Sequence, residues 1–523
     1  MAKPLDRISA SFIPLLLIVS MVWLGLGAEG ASWDEQESEL VSGDSTGGHS
    51  AVMAVDRSSN VHVAWADGDD IMFRSKSNGE WGDVVKVTDQ RTIRSIEPSI
   101  AVDGDGGVHL VWVERSYEQG TEEILQRSLI DGEWSSIVTL SPDINDVSRL
   151  PVIAANEDGT LHVVWLDGQN PNTELLYRSK TGGSWGPIEK VRPNGDGHPS
   201  WPSIAAGPGR TVNIVWYDTM EFQGADDDWG DIYHRSKSQG AWSSIELVSA
   251  GSDATSIEAS VAVDDDGVVH VAWKDSMSFP DSESSVDDIY HRAKTSAGWQ
   301  DVMLVSSGSD GGSRNPSISV FPDGDAHIVW RESPAASEPQ ESLIVHSTMS
   351  DNGWGPFVDI STETDMPSEP TIANDGLVHA HVLWLDFGDH DELGPGSFIY
   401  HKNLWVSDKA LVEGVIVDAN GDPMPGVEIW LSNPGLAAVT DDEGRYAFTI
   451  DEGEYIIEAI KDGETISSLS INTKTNERLT LDPITEGSFH TVESDDDSII
   501  SIGLLAVIAV ILAGAVFILM RSR

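Results

Sequence analysis

Cysteine is absent from all 523 residues, so no disulfide braces the fold. In an exported chain that absence argues against a typical eukaryotic ectodomain and favours a bacterial or archaeal surface. Basic side chains are scarce: 31 Lys and Arg stand against 86 Asp and Glu, a formal net charge of −55. Such an excess repels phosphate backbones and excludes nucleic acid as the expected partner. It suits a solvated surface in a salty medium, where screening limits self-repulsion. No Asn-x-Ser/Thr glycosylation acceptor is present, because Asn315 is followed by Pro316.

Long apolar runs are confined to the two ends. Lys3 and Arg7 precede the run from Phe12 to Leu26, which closes on Gly27, Ala28 and Gly30, the pattern of a secretory signal peptide over residues 1–30. Ile499 to Met520 is uncharged and long enough to cross a hydrocarbon core of roughly 30 Å, so a transmembrane helix is expected over 499–520. Asp495, Asp496 and Asp497 precede it, and Arg521 and Arg523 follow. The positive-inside rule then places residues 521–523 in the cytoplasm and the ectodomain outside a single-pass cell membrane.

Between the ends lies a repeat. The stretch Val268-Val269-His270-Val271-Ala272-Trp273-Lys274-Asp275 has close variants centred on Trp65, Trp112, Trp165, Trp216, Trp330 and Trp384. The spacing of roughly 50 residues is that of a repeat architecture. Each copy contains four short Val-, Ile-, Tyr- and Trp-rich segments separated by Gly-rich turns, as in Ala259–Val263, Val268–Trp273, Asp288–Arg292 and Trp299–Val305. Four antiparallel strands repeated seven times predict a seven-bladed β-propeller over 32–406. A second tryptophan opens the fourth strand at Trp81, Trp134, Trp185, Trp242, Trp299 and Trp354, and the seventh is missing after Tyr400. Ser32-Trp33 with Leu40-Val41-Ser42 matches the missing piece, so residues 32–42 are expected to close the last blade. Residues 411–483 alternate with glycine turns and predict a small β-sandwich. An acidic stalk over 484–498 follows.

Each repeat carries polar residues at fixed offsets. Histidine stands three before the tryptophan at His62, His109, His162, His270, His327 and His381, with Asn213 in the fourth copy. These belong to different blades and do not converge as a metal set, so a repeated structural hydrogen bond is expected. Two residues after each tryptophan comes Asp67, Glu114, Asp167, Asp218, Asp275, Glu332 or Asp386, expected to cap loops or accept amide hydrogens. Third-strand Arg74, Arg127, Arg178, Arg235, Arg292, His346 and Lys402 are expected to pair with first-strand acids such as Asp56, Asp103 and Asp264. The turns Asp103-Gly104-Asp105-Gly106, Asp264-Asp265-Asp266-Gly267 and Asp323-Gly324-Asp325 offer oxygens of the kind Ca²⁺ takes, but they lack a full loop pattern and read as hairpin turns.

Specificity in a repeat array resides where the copies differ. The long loop Asp218–Asp231 contains Asp226-Asp227-Asp228-Trp229, and the preceding inter-blade loop adds His198 and Trp201. Trp201, Tyr217, Asp218, Asp226, Asp227, Asp228 and Trp229 are therefore the candidate ligand residues, aromatic surface beside carboxylates suited to a sugar ring and its hydroxyls. No catalytic residue is assigned.

Two resemblances accompany this reading. Pro98-Ser99-Ile100-Ala101-Val102-Asp103 before Val108-His109-Leu110-Val111-Trp112, with the turn Ser75-Lys76-Ser77-Asn78-Gly79-Glu80-Trp81, resembles the sialidase-like propellers with Asp-box (BNR) repeats. The box is degenerate, one residue short and without its aspartate. Catalytic members of that group have six blades and an early Arg-Ile-Pro segment that does not occur here. Their arginine clamp has no mapped counterpart, although Arg94, Arg149 and Arg314 are suited to anions. Thr440-Asp441-Asp442-Glu443-Gly444-Arg445-Tyr446 and Gly453-Glu454-Tyr455 resemble the carboxypeptidase regulatory-like, transthyretin-like domains, which implies a non-catalytic spacer or adhesion module.

The combined expectation is an all-β, membrane-anchored surface protein, leaning away from an enzyme, whose loop face recognises an extracellular glycan or protein. The alternatives are an extracellular sialidase-like glycoside hydrolase and a structural envelope component.

Overall fold

The computed structural model describes residues 37–491, apart from 90–93, 117–119, 142–146, 170–171, 221–228, 277–286, 334–341, 391–393 and scattered positions elsewhere. Strands dominate it. Seven antiparallel sheets follow one another along the chain, each of four strands with the outermost broken into two short pieces in six of them. The first strands are 48–55, 94–102, 148–155, 200–207, 256–263, 312–320 and 367–374. Each packs against the first strand of the next sheet, and 48–55 also packs against 367–374, so the sheets form a closed ring.

The tryptophan repeat explains why the ring assembles. Trp65, Trp112, Trp165, Trp216, Trp273, Trp330 and Trp384 are all buried, at 0–1% exposure. Each inserts into the sheet before it: Trp112 among Ala64, Ala66 and Phe73, Trp216 among Val164 and Leu166, Trp65 against Leu383 and Leu385. An indole buries on the order of 200 Å² at about 25 cal/mol/Å², a gross gain of roughly 5 kcal/mol per interface.

Closure is made by residues 39–40. They pair antiparallel with the third strand of the last sheet, Glu39 opposite His401 and Leu40 opposite Tyr400. Leu247 takes the same place opposite Tyr233, and Glu246 opposite His234. Trp33 lies outside the described residues.

Third-strand cations behave differently from the sequence expectation. Arg74, Arg127, Arg178, Arg235 and Arg292 do not pair with first-strand acids. Each donates Nε to its own outer strand, at the carbonyls of Gly82, Ser135, Gly186, Ser243 and Gln300. Each also donates Nη1 to the previous sheet, at Val41, Val87, Leu140, Val191 and Val248. The planar guanidinium suits this two-way tie, because its donors diverge toward fixed carbonyls. The first-strand acids face histidines instead, with His109 Nε2 2.9 Å from Asp103. Asp103 also accepts the amides of Asp105 and Gly107, closing the hairpin turn with its own backbone.

Residues 410–491 form two further sheets, in strand order 445–450, 410–417, 478–480 and 436–439, 428–431, 453–461, 464–473, 489–491. They share a core of Val412, Ile416, Val427, Ile429, Phe448, Ile457 and Ile471.

The membrane anchor expected from sequence is corrected. No helix among the described residues is long and apolar enough to cross a membrane. The one helical turn described is Pro208–Arg210. The described strands run to ten residues at most, about half of the roughly 20 apolar residues that a spanning helix requires. The stretches 1–30 and 499–520 lie outside the described residues. The single-pass topology, the membrane as partner and the cell-membrane location therefore find no support among the described residues.

Candidate functional site

Every first strand breaks its register near its start, and one residue in each break has positive φ: Ser50, Glu97, Leu150, Trp201, Glu258, Asn315 and Glu369, at 44–58°. These are bulges on the innermost strands, at the ring end that also carries the second-to-third-strand loops. Left-handed backbone is costly for residues other than glycine, so seven copies mean that the ring geometry imposes it. Neighbouring sheets hold the bulges in place: Glu97 accepts the amide of Leu150 at 2.7 Å and Glu258 that of Asn315 at 2.9 Å. The sequence signal was a proline after the bulged residue at Pro98, Pro151, Pro202, Pro316 and Pro370, which was not recognised.

In the fourth sheet the bulge presents an aromatic. Trp201 is 45% exposed, and its ring centroid lies 5.7 Å from that of Tyr217 with the planes at 59°. Tyr217 sits opposite Ser200 on the next strand. A Cβ on Gly230 would stand 2.1 Å from the Tyr217 ring, so only glycine there lets the phenol occupy its position. Burial, with Asp218 and Asp231 nearby, raises the Tyr217 pKa. Trp229 is 57% exposed. Asp226, Asp227 and Asp228 lie outside the described residues.

Asp218 is placed away from the surface. Its side chain is fully buried against Arg192, with Nε 3.2 Å from Oδ2. It also accepts the Trp216 indole at 3.2 Å and the Met220 amide at 3.0 Å. Burial raises its pKa, opposed by Arg192. The equivalent carboxylates are held in the same manner: Asp167 by Ser148, Asp275 by Ser256 and Trp273, Glu332 by Ser313 and Trp330. They accept hydroxyl and indole hydrogens, which makes them parts of the ring.

Arg192 is the local departure that sequence reasoning missed. Its counterparts are Ser42, Thr88, Ser141, Ser249, Ser306 and Ser361, most of which accept an amide near the start of a third strand, as Ser249 accepts that of Ile232. Arg192 instead holds the loop beyond it, donating to Thr173 and Gly197 carbonyls at 3.1 and 3.0 Å. Two concavities flank it. One of about 490 Å³ is lined by Lys190, Arg192, Pro193, Arg235 and Ile245. The other, about 90 Å³, is lined by Asn172, Thr173, Glu174, Arg192, Pro193 and Gly195.

Two bulge carboxyls have raised pKa values. The Glu369 residue is solvent-exposed, and partial desolvation of its carboxyl raises its pKa. Burial likewise raises Glu97, where Glu122 adds to the shift and Arg115 and Arg149 oppose it. Arg94, Arg149 and Arg314 stand in three different sheets, with Arg149 donating to the Gly168 carbonyl and Arg314 paired with Asp287 at 3.1 Å. No group of three or more potential metal ligands occurs among the described residues.

No family model and no curated protein matches the chain. Its fold is similar to that of several solved structures. An ulvan lyase of polysaccharide lyase family PL25 is 12% identical over 70% of this chain and 96% of its own, with a TM-score of 0.48. The polysaccharide lyase Uly1 is 9% identical over 68% and 89%, at 0.43. An α-L-arabinanase of Penicillium chrysogenum in complex with arabinobiose is 14% identical over 59% and 93%, at 0.40. These are likenesses of fold. The reading that leaned away from an enzyme toward a membrane-anchored binder is withdrawn, since no helix among the described residues is long and apolar enough to cross a membrane; the enzymes above share the fold alone. What the site can do must come from its own residues.

Proposed function

We propose that the protein is a carbohydrate-active enzyme that cleaves a glycan chain on the bulge-bearing end of the ring. The observation that carries this reading is Trp201, held by a bulge in left-handed backbone, 45% exposed and packed on Tyr217. Such an indole offers a flat apolar surface at little ordering cost, and a pyranose or furanose ring presents a matching C–H face. Glu369 and Glu97 lie on the same end, and their raised pKa values favour the protonated form that a general acid needs to protonate a leaving oxygen. The acid would be lost as pH rises through the raised value, so turnover should fall on the alkaline side.

The test is turnover of a panel of fluorogenic glycosides and plant and algal polysaccharides. Glu369→Gln or Glu97→Gln should lower kcat by roughly 10²-fold, the usual scale of general-acid catalysis. Trp201→Ala should act chiefly on KM. Full activity in both glutamine variants, or no turnover of any glycan, would remove the proposal.

A further inference from the structure

We infer that the two-sheet unit formed by residues 410–491 carries a second, separate glycan-contact site, built on Trp430 and taking the uncharged face of a neutral polysaccharide. Nothing in this inference depends on which bond the ring cleaves. Along the strand 428–431, alternation sends Ile429 and Leu431 into the core, at 0% and 7% exposure, and sends Glu428 and Trp430 outward. The Trp430 indole Nε1 donates to Glu428 Oε2 at 2.9 Å, which fixes the ring on the sheet surface. Gly435 runs close beside it: a Cβ there would lie 3.7 Å from Cζ3, and φ of +136° restricts the position to glycine.

The register assembles a surface around this indole. Leu436 stands opposite Trp430 on one side and Glu458 on the other, and Val439 stands opposite Glu428. Directly opposed residues project from the same face of a sheet, and Ile456, two residues from Glu458, shares it. Leu436, Val439 and Ile456 are 51%, 54% and 46% exposed and Trp430 is 37% exposed. The result is an apolar strip carrying an immobilised aromatic, with two carboxylates at its edges to accept hydroxyl hydrogens. Among the described residues, Trp201, Trp229 and Trp430 are the exposed tryptophans, and Trp430 alone lies outside the ring.

Charge selects the occupant. The net charge of −55 and the flanking Glu428 and Glu458 oppose a sulfated or uronate-rich polymer, and they equally oppose a second copy of the chain. A neutral polymer, stacking its C–H face and donating hydroxyls to carboxylates, satisfies both the apolar strip and its rim.

The experiment is retention of the whole protein on insoluble cellulose and xylan and its retardation in gels containing linear arabinan, with sulfated and uronate polymers in parallel. Trp430→Ala should reduce retention on at least one neutral polymer by about tenfold, while turnover of small glycosides by the ring stays unchanged. Trp430→Tyr should restore much of the binding, which separates lost stacking from lost folding. Equal retention of Trp430→Ala and the parent, retention on none of the neutral polymers, or preference for the acidic polymers would overturn the inference. So would sedimentation showing a dimer that Trp430→Ala converts to monomer. Trp201→Ala reports on the ring independently, so either proposal can fail without the other.

Discussion

Removal of residues up to Ser42 is expected to abolish cooperative folding of the ring. The last sheet would lose its outer strand, exposing the hydrogen-bonding edge of 398–405 and separating the first sheet from the last. Val41 is fully buried against Ala51, Val63 and Ile399, and deleting such a side chain costs about 3 kcal/mol. Glu39 adds a polar knot: it accepts Lys76 Nζ at 2.6 Å and the Trp81 indole at 2.8 Å, with the His401 ring at 3.3 Å. Its side chain is 38% exposed, so the loss of this knot is discounted to roughly 2 kcal/mol, below the usual figure for a buried pair. Together these come to about 5 kcal/mol, the lower end of a typical domain's stability of about 5–15 kcal/mol. Denaturant unfolding of the truncated chain should show a broad transition, and Glu39→Ala alone should shift the midpoint downward without changing the slope. A truncated protein as stable as the parent would show that the ring closes without its N-terminal strand.

Acid is expected to unfold the ring through its histidines. Second-strand rings stack on third-strand rings in three sheets: His270 Nδ1 lies 3.2 Å from His291 Nε2, His327 3.0 Å from His346, and His381 3.1 Å from His401. Two facing imidazoles can share one proton donor only while at least one is neutral, and burial penalises the charged form of each. Burial, aided by the partner ring, lowers His291 to about 3 and His381 to about 3; in the third sheet burial lowers His162 to about 4. The sign follows from linkage. The folded pKa lies below the unfolded value of 6.5, so the unfolded chain binds protons first. The contribution is complete above 6.5 and is lost as pH falls from there toward about 3. Each such histidine costs up to about 1.4 kcal/mol per pH unit in that window. The carboxylates Glu39 and Glu246, held near 2, add a second loss in the same direction as pH falls below their unfolded value of 4.5. Raised carboxyls such as Asp218 and Glu97 work in the opposite sense. Unfolding free energies measured from neutral pH downward should decline steeply, and His291→Asn should flatten the decline while lowering the neutral-pH value. A flat profile between 6.5 and 4.5 would contradict neutral buried pairs.

The candidate site was only partly legible before the structure. Trp201, Tyr217 and Trp229 could be singled out beforehand, because a residue that breaks a repeat is visible in the repeat itself, and Trp201 and Trp229 are exposed in the structure. Asp218 looked equally promising, and its burial was hidden by Arg192, 26 positions earlier, which replaces a serine or threonine of the other copies. Glu97, Glu258 and Glu369 were missed for a different reason. A bulge is a property of two strands in register, and along one strand its trace is no more than the proline that follows Glu97 and Glu369.

By itself the sequence determined the strand period, the sevenfold tryptophan repeat and the need for an N-terminal segment to complete the last sheet, since those follow from local alternation and from counting copies. Tertiary structure decided what each polar residue faces. The third-strand arginines meet carbonyls of the preceding sheet some forty residues away (Arg127 to Val87, Arg178 to Leu140), and the histidines meet one another across strands. Partners of that kind are set by packing distance and desolvation, which spacing along the chain does not record.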